Sequence, residues 1–263
     1  MPRQRFDRSG ERPLEPERIQ KLLAQAGLGS RRQIEQWMIE KRLTIDGKIA
    51  ELGDKITGKE RLSLDNRPLT LRKTATDKTR ILIYHKPAGE ICSRSDPEGR
   101  PTVFDSLPKR ADSRWVAVGR LDFNTSGILL FTDNGALANK LMHPSSEIER
   151  EYAVRIRGEA SKEELALLQA GVMLEDGEAR FEDIRDAGGE GSNHWYHVLL
   201  KEGRNREVRR LWESQDLLVS RLIRVRFGPI QLPRNLRPGA FRDLTEEETK
   251  ALHLSLRVKK TSQ

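Results

Sequence analysis

Between residues 81 and 227 the chain repeats one pattern, a short apolar run of four to six residues closed by polar or turn-forming residues. The runs are Ile81–Lys86, Trp115–Val118, Ile128–Thr132, Tyr152–Ile156, Trp195–Leu200 and Leu222–Phe227. Each has the length and the β-branched or aromatic content of a strand. Helical spacing appears among and after them at Ala136–Met142, Lys162–Gln169, Asn205–Glu213 and Glu246–Leu252, with Ser161 and Glu164 forming a capping box ahead of the second. Helices so few and so irregularly placed cannot supply the crossovers of a regular βαβ repeat. The pattern therefore predicts an α+β domain on a mixed, largely antiparallel sheet flanked by helices. Asp176-Gly177 predicts a further hairpin, and the GGEG stretch at 188–191 reads as a flexible loop tip.

A smaller unit precedes this one. Ile19, Leu22, Leu23 and Ala26 fall at helical spacing, and Gly27 is a natural stop. Ser30 then opens a second helix, with Gln33 three residues on to complete a capping box and Ile34, Trp37 and Met38 as its apolar stripe. LTIDGKIA reads as a hairpin turning at Asp46-Gly47. The expected organisation is a basic, disordered arm at 1–13, a helix-hairpin domain at 14–72 and a linker at 73–79. A large domain at 80–256 and a flexible tail at 257–263 complete it.

With 48 Lys and Arg against 40 Asp and Glu, the net charge is +8 and the isoelectric point about 9.7, which makes nucleic acid the first partner class to consider. Arg31 and Arg32 stand in the first turn of the second helix, with Arg18 ahead of the first and Lys48 on the hairpin. These four are the candidate phosphate contacts of the small domain, set against the alternative of a merely solvated face. Cys92 is the one cysteine, which excludes a disulfide framework and a thiolate metal cluster. No apolar run approaches the roughly 18 residues needed to cross a membrane, and the N-terminal residues have no apolar secretory core, so a cytoplasmic protein is expected. Neither a P-loop nor a G-x-G-x-x-G fingerprint is present, so no cofactor is expected.

The stretch GRLDFNTSG, Gly119 to Gly127, joins two of the predicted strands and holds a single carboxylate, Asp122. An Asp beside Asn and Ser commonly serves turn chemistry alone. The alternative is a reactive carboxylate mounted on a rigid strand connection, with Arg120 near enough in sequence to favour its ionised form.

The larger motifs bear on that choice. KLLAQAGLGSRRQIEQWMIEKRLTIDGK resembles the S4 RNA-binding domain, and VGRLDFNTSGILLFTDNGALANKLMHP resembles the signature of ribosomal RNA pseudouridine synthases of the RsuA family. EREYAV, EGRNREVRRLWE and VSRLIRVRFG follow in that family's order, so the resemblance runs from residue 15 to about 250. It implies an S4 domain followed by a pseudouridine synthase domain, a monomer acting on ribosomal RNA of the large subunit, with no metal and no cofactor. It also implies that Asp122 is the catalytic residue, that Tyr152 stacks on the target base, that Arg209 pairs with the aspartate and that Leu222 lines the pocket. Arg206 and Arg210, beside Arg209, are candidate RNA contacts. Many relatives have Lys two residues before the tyrosine where this chain has Arg150; charge is kept, but a specific lysine contact is altered.

The reaction so implied breaks the N1–C1′ bond of a uridine, turns the uracil and joins C5 to C1′. Asp122 acts ionised, either by bonding to a carbon of the nucleotide or by removing the ribose 2′ proton. The base must first leave its stack, at a cost of a few kcal/mol that an aromatic platform partly recovers. Three alternatives remain: a small-subunit substrate, a non-catalytic S4-domain protein of ribosome assembly, and a metal-dependent hydrolase. For the last the ligands are poorly placed, since His194 and His197 lie three apart in a predicted strand and face opposite ways.

Overall fold

The computed structural model describes residues 15–71, 79–94, 96–109 and 114–256. The expected arm at 1–13, the linker residues 73–78 and the tail at 257–263 lie outside them. The chain divides into two compact units, residues 1–78 with 109–114, and residues 79–108 with 115–263.

In the first unit, β1 (Glu17–Arg18) leads into α1 (Ile19–Gln25), and α2 spans Arg31–Ile39. The expected capping box forms, with the Gln33 amide donating to Ser30 Oγ at 3.1 Å and the Ser30 amide donating to Gln33 Oε1 at 3.4 Å. Ile19, Leu23, Ile34 and Met38 bury their helical faces against Leu43, Ile56 and Leu62, each contributing roughly 1.5–3 kcal/mol of burial. The strands are β2 (Leu43–Ile45), β3 (Lys48–Ile49), β4 (Lys55–Ile56), β5 (Leu62–Leu64) and β6 (Arg67–Leu69). β4 pairs with β1, and the others form a sheet in the order β3-β2-β5-β6. Asp46 and Gly47 both have positive φ, 47° and 82°, as the Asp-Gly hairpin requires. A second hairpin, not expected from the sequence, turns at Asp65 and Asn66 with φ 50° and 62°. These residue types tolerate left-handed geometry without glycine.

In the second unit the strands are β7 (Ile81–Lys86), β8 (Val116–Val118), β9 (Ser126–Thr132) and β10 (Arg150–Arg157). They continue with β11 (Val172–Leu174), β12 (Gly177–Ala179), β13 (Asp183–Glu190), β14 (Asn193–Leu200), β15 (Val219–Phe227), β16 (Ile230–Gln231) and β17 (Phe241–Asp243). The main sheet runs β13-β14-β10-β15-β9-β7-β17, with β8 on β9 and β16 on β15. Its one parallel pairing is β15 with β9, so the sheet is mixed and largely antiparallel as expected. Alternate residues of β7 enter two cores. Leu82 and Tyr84 join Phe181, Tyr196 and Trp212, while Ile81 and Ile83 join Leu137, Leu141 and Leu252.

Four helices flank the sheet among the described residues: α3 (Gly135–Met142), α4 (Lys162–Ala170), α5 (Glu207–Glu213) and α6 (Glu246–Ser255). Two expectations need correction. The GGEG stretch is not a loop tip at its start, because Gly189 pairs with His194 inside β13 and a Cβ there would meet the Asn193 carbonyl at 2.4 Å. The fifth helix begins at Glu207 rather than Asn205, because Arg206 stands at φ 49°, outside helical geometry.

Candidate active site

Asp122 sits on the turn between β8 and β9, where the backbone folds back through a Thr125 amide to Asp122 carbonyl bond of 3.0 Å. Side chains from distant parts of the unit hold this turn by its carbonyls. Lys86, at the end of β7 and fully buried, donates from Nζ to the carbonyls of Pro87 (2.9 Å), Asp122 (3.1 Å), Phe123 (3.4 Å) and Thr125 (2.9 Å). The Gly89 amide adds a 2.9 Å bond to the Phe123 carbonyl. Cys92 Sγ lies 3.3 Å from the Leu121 carbonyl and 3.4 Å from the Leu121 amide, donating to one and accepting from the other. From α5, Arg209 donates to the carbonyls of Asn124 at 3.1 Å and Val219 at 3.0 Å. Gly127 closes the turn at φ 115° against β15, where a Cβ would lie 2.2 Å from the Arg224 carbonyl; only glycine fits.

The electrostatics follow from burial. Loss of solvent depresses the Lys86 ammonium below its ordinary value, against the opposing pull of Cys92, Glu90 and Asp122. It raises the Cys92 thiol, so that this cysteine is a neutral donor to the turn and not a poised nucleophile. Burial also depresses Arg209, helped by neighbouring Arg206 and opposed by the negative charge of Asp122. Among the described residues no side chain donates a hydrogen bond to the Asp122 carboxylate. The cations grip the backbone and leave the carboxylate free.

Asp122 opens into a cleft of about 760 Å³. Arg120, Tyr152 and Leu222 line it together with Asp122, as does Arg206, which the sequence offered only as an RNA contact. Tyr152 and Leu222, on β10 and β15, are buried at 8% and 4% exposure and present an apolar floor. Arg120 and Arg206 are exposed at its edge, with Arg100 beside them. Arg209 reaches the turn from behind through the two carbonyls, and acts on Asp122 through its charge rather than through the direct pairing the resemblance implies. Arg210 is committed elsewhere, with both terminal nitrogens 2.8 Å from the Asp176 carboxylate. In the first unit, Arg18, Arg31, Arg32 and Lys48 are all exposed.

Sequence reasoning did not single out Lys86 or the buried Arg224, and noted Cys92 and the buried Arg150 without finding what they hold. Arg150 gathers the carbonyls of Ile148, Lys201 and Glu202 on one nitrogen at 2.8–3.0 Å and so fixes the cleft wall. The sequence did carry one signal for Lys86, which shares its strand face with core residues Leu82 and Tyr84. His194 and His197 do face opposite ways: the first stacks on Tyr196 and the second bonds Glu151 at 2.8 Å. His194 also meets Asp186 and Glu159, whose ligand-type atoms lie within 4.8 Å of one another, but none of the three lines the cleft.

A carboxylate on a braced turn, above an aromatic floor and within an arginine edge, is the arrangement of an enzyme that works on a nucleotide. The chain belongs to the RNA pseudouridylate synthase family, whose profile matches residues 80–214, and it carries an S4 domain at residues 17–62. It is 54% identical over 233 residues to ribosomal large subunit pseudouridine synthase B of Pseudomonas aeruginosa, covering 88% of this chain and 60% of that protein. The proteins of that name from Yersinia pestis and Escherichia coli are each 55% identical over 238 residues, which is 90% of this chain and 75% and 82% of theirs. A crystal structure of a pseudouridylate synthase shares the fold at a TM-score of 0.62 and 24% identity, over 89% of this chain and 99% of that one.

Proposed function

We propose that this chain isomerises a uridine of large-subunit ribosomal RNA to pseudouridine. The observation that carries the reading is Asp122, held by its backbone in a basic cleft above Tyr152 and Leu222, with its carboxylate unencumbered. The relatives' names supply the substrate class, and the exposed Arg18, Arg31, Arg32 and Lys48 supply phosphate contacts suited to folded RNA.

The target uridine leaves its stack and enters the cleft, where the Tyr152 ring supports the base and Leu222 excludes water from it. Arg120 and Arg206 meet the flanking phosphates. Asp122 then either takes the C2′ proton or bonds to C1′, and the N1–C1′ bond breaks with its electrons going to the uracil. The freed base turns within the cleft and C5 bonds to C1′, while Asp122 returns the proton to C2′ on the first route or leaves C1′ as a carboxylate on the second. C5 finally loses its proton and N1 gains one, so the product is an isomer of the substrate and no redox partner or group donor is consumed. Arg209 contributes through its bond to Asn124, which fixes where the carboxylate points.

The test is tritium release from large-subunit ribosomal RNA carrying C5-labelled uridine, with native protein and Asp122→Asn, each with and without EDTA. Release by the native protein alone, unaffected by EDTA, is expected. Release by Asp122→Asn at the native rate, or its loss on chelation, would defeat the proposal.

A further inference from the structure

A large aromatic side chain stands exposed beside the reactive carboxylate. Phe123, the residue after Asp122, is 41% exposed, whereas Tyr152 in the same cleft is 8% exposed. A phenyl ring in water forfeits the burial that makes aromatic residues stabilising, so its place on a turn needs a reason. The turn holds it still: the Phe123 carbonyl accepts from the Gly89 amide at 2.9 Å and from Lys86 Nζ at 3.4 Å. A second support reaches the ring. The Arg100 guanidinium lies 6.0 Å from the ring centroid, and is itself fixed by two bonds of 2.8 Å to the Asp96 carboxylate and by Glu98 at 3.1 Å, while the Arg100 backbone amide adds a third 2.8 Å bond to Asp96. Phe123 and Arg100 both line the cleft.

We infer that Phe123 is a second stacking subsite, for the nucleobase next to the target uridine. Extruding a base leaves its neighbour with one face unstacked, and that loss is part of the cost of flipping. Tyr152 lies within the cleft, placed to meet the extruded uracil. Phe123 is at its mouth, one residue from the group that attacks the ribose, and its exposed ring covers the face the neighbour has lost. Arg100, committed to Asp96 and Glu98, steadies that side of the ring and offers the flat face of its guanidinium beside it. Stacking on such a ring is sequence-tolerant, so the subsite lowers the cost of extrusion without reading which base stands there.

The inference rests on the proposed isomerase activity, and its test is built to fail separately. Native protein, Phe123→Ala and Phe123→Trp are assayed for C5 tritium release on RNA with the flanking base present or replaced by an abasic site, on the 5′ or the 3′ side. On one side, the abasic site is expected to lower kcat/KM of the native protein about ten-fold or more, but to leave Phe123→Ala nearly unchanged. The loss on Phe123→Ala with intact RNA is expected to be of the same order, and Phe123→Trp to restore it. In parallel, 2-aminopurine at that position reports stacking in complexes with Asp122→Asn, where no turnover occurs. Its fluorescence is expected to be quenched, and quenching to be lost when Phe123→Ala is added. Additive losses on both sides, with no change in quenching, would overturn the subsite. Phe123→Leu keeps the size and the fold without the aromatic face; native behaviour in Phe123→Leu would overturn it equally. Absence of tritium release from native protein on intact RNA strikes the isomerase reading instead, while the fluorescence still decides the stacking.

Discussion

The substitution Lys86→Met separates the mounting of the turn from the chemistry it carries. The ammonium collects four carbonyls at 2.9–3.4 Å without a carboxylate partner in contact. Two of these carbonyls keep another donor, Asp122 from the Thr125 amide and Phe123 from the Gly89 amide. Those of Pro87 and Thr125 lose the donor that Lys86 supplies. A buried carbonyl left unsatisfied costs about 1–3 kcal/mol, so two cost about 2–6 kcal/mol. Removing a buried ammonium offsets part of that, and a net loss of about 2–4 kcal/mol is expected. A domain with a stability of 5–15 kcal/mol survives it, but the turn relaxes. Displacement of a reactive group by about 1 Å can cost on the order of 100-fold in rate. Lys86→Met is therefore expected to lower kcat about 100-fold in the tritium assay, with RNA affinity unchanged and a melting temperature lower by several degrees. A variant with native kcat and native melting temperature would refute the argument. The same ammonium sets an alkaline limit. Its folded pKa lies below the ordinary lysine value of 10.5, so between the two the unfolded chain holds a proton that the folded one has shed. Across that window this group's contribution makes the fold more stable as pH rises, because the cost of a buried charge disappears. Activity falls over the same window, because a neutral amine donates one hydrogen bond fewer. Stability and kcat moving in opposite directions would mark Lys86; in Lys86→Met both trends should vanish.

Gly127→Ala places a Cβ 2.2 Å from the Arg224 carbonyl at φ 115°, and is expected to cost about 4 kcal/mol or more, lowering the melting temperature by at least about 8 °C in calorimetry. Arg31→Ala and Arg32→Ala, on the exposed first turn of α2, are expected to raise KM for ribosomal RNA at constant kcat. Each that contacts a phosphate should reduce the slope of log affinity against log salt by about 0.7–0.9 in a binding titration.

How much of this was legible in the sequence depended on the range of the contacts. The strand Ile81–Lys86 and the capping boxes at Ser30 and Ser161 were readable because their causes lie within a few residues. The Gly119–Gly127 turn was readable as a turn for the same reason. Its bracing was not, because Lys86 finds three of its four acceptors 36 to 39 residues ahead and Arg209 reaches back 85 residues to Asn124. A lysine closing an apolar strand reads locally as one whose head escapes to solvent. Here the chain brings it four carbonyls instead. GGEG misled for a related reason: glycines that suggest flexibility in isolation here admit the close backbone of β14, a demand visible only once the strands pair.

Arg209 stands differently from what the resemblance implies. The resemblance pairs it with Asp122, and the simplest form of such a pairing is a salt bridge. Yet a carboxylate locked in a two-point bond to a guanidinium presents its lone pairs to the arginine and not to a ribose. Donating to the Asn124 and Val219 carbonyls instead, Arg209 keeps its positive field near the aspartate and fixes the chain that carries it. Lys86 works in the same way on other carbonyls of the turn, and Cys92 adds a neutral clasp on Leu121. Two cations that grip carbonyls hold the turn at no cost in the carboxylate's freedom to react. The separation implies that Arg209→Lys, which keeps the charge and cannot span both carbonyls, should lower kcat in the tritium assay with RNA affinity unchanged. Native kcat in Arg209→Lys would mean that Arg209 serves Asp122 as a charge and not as a brace.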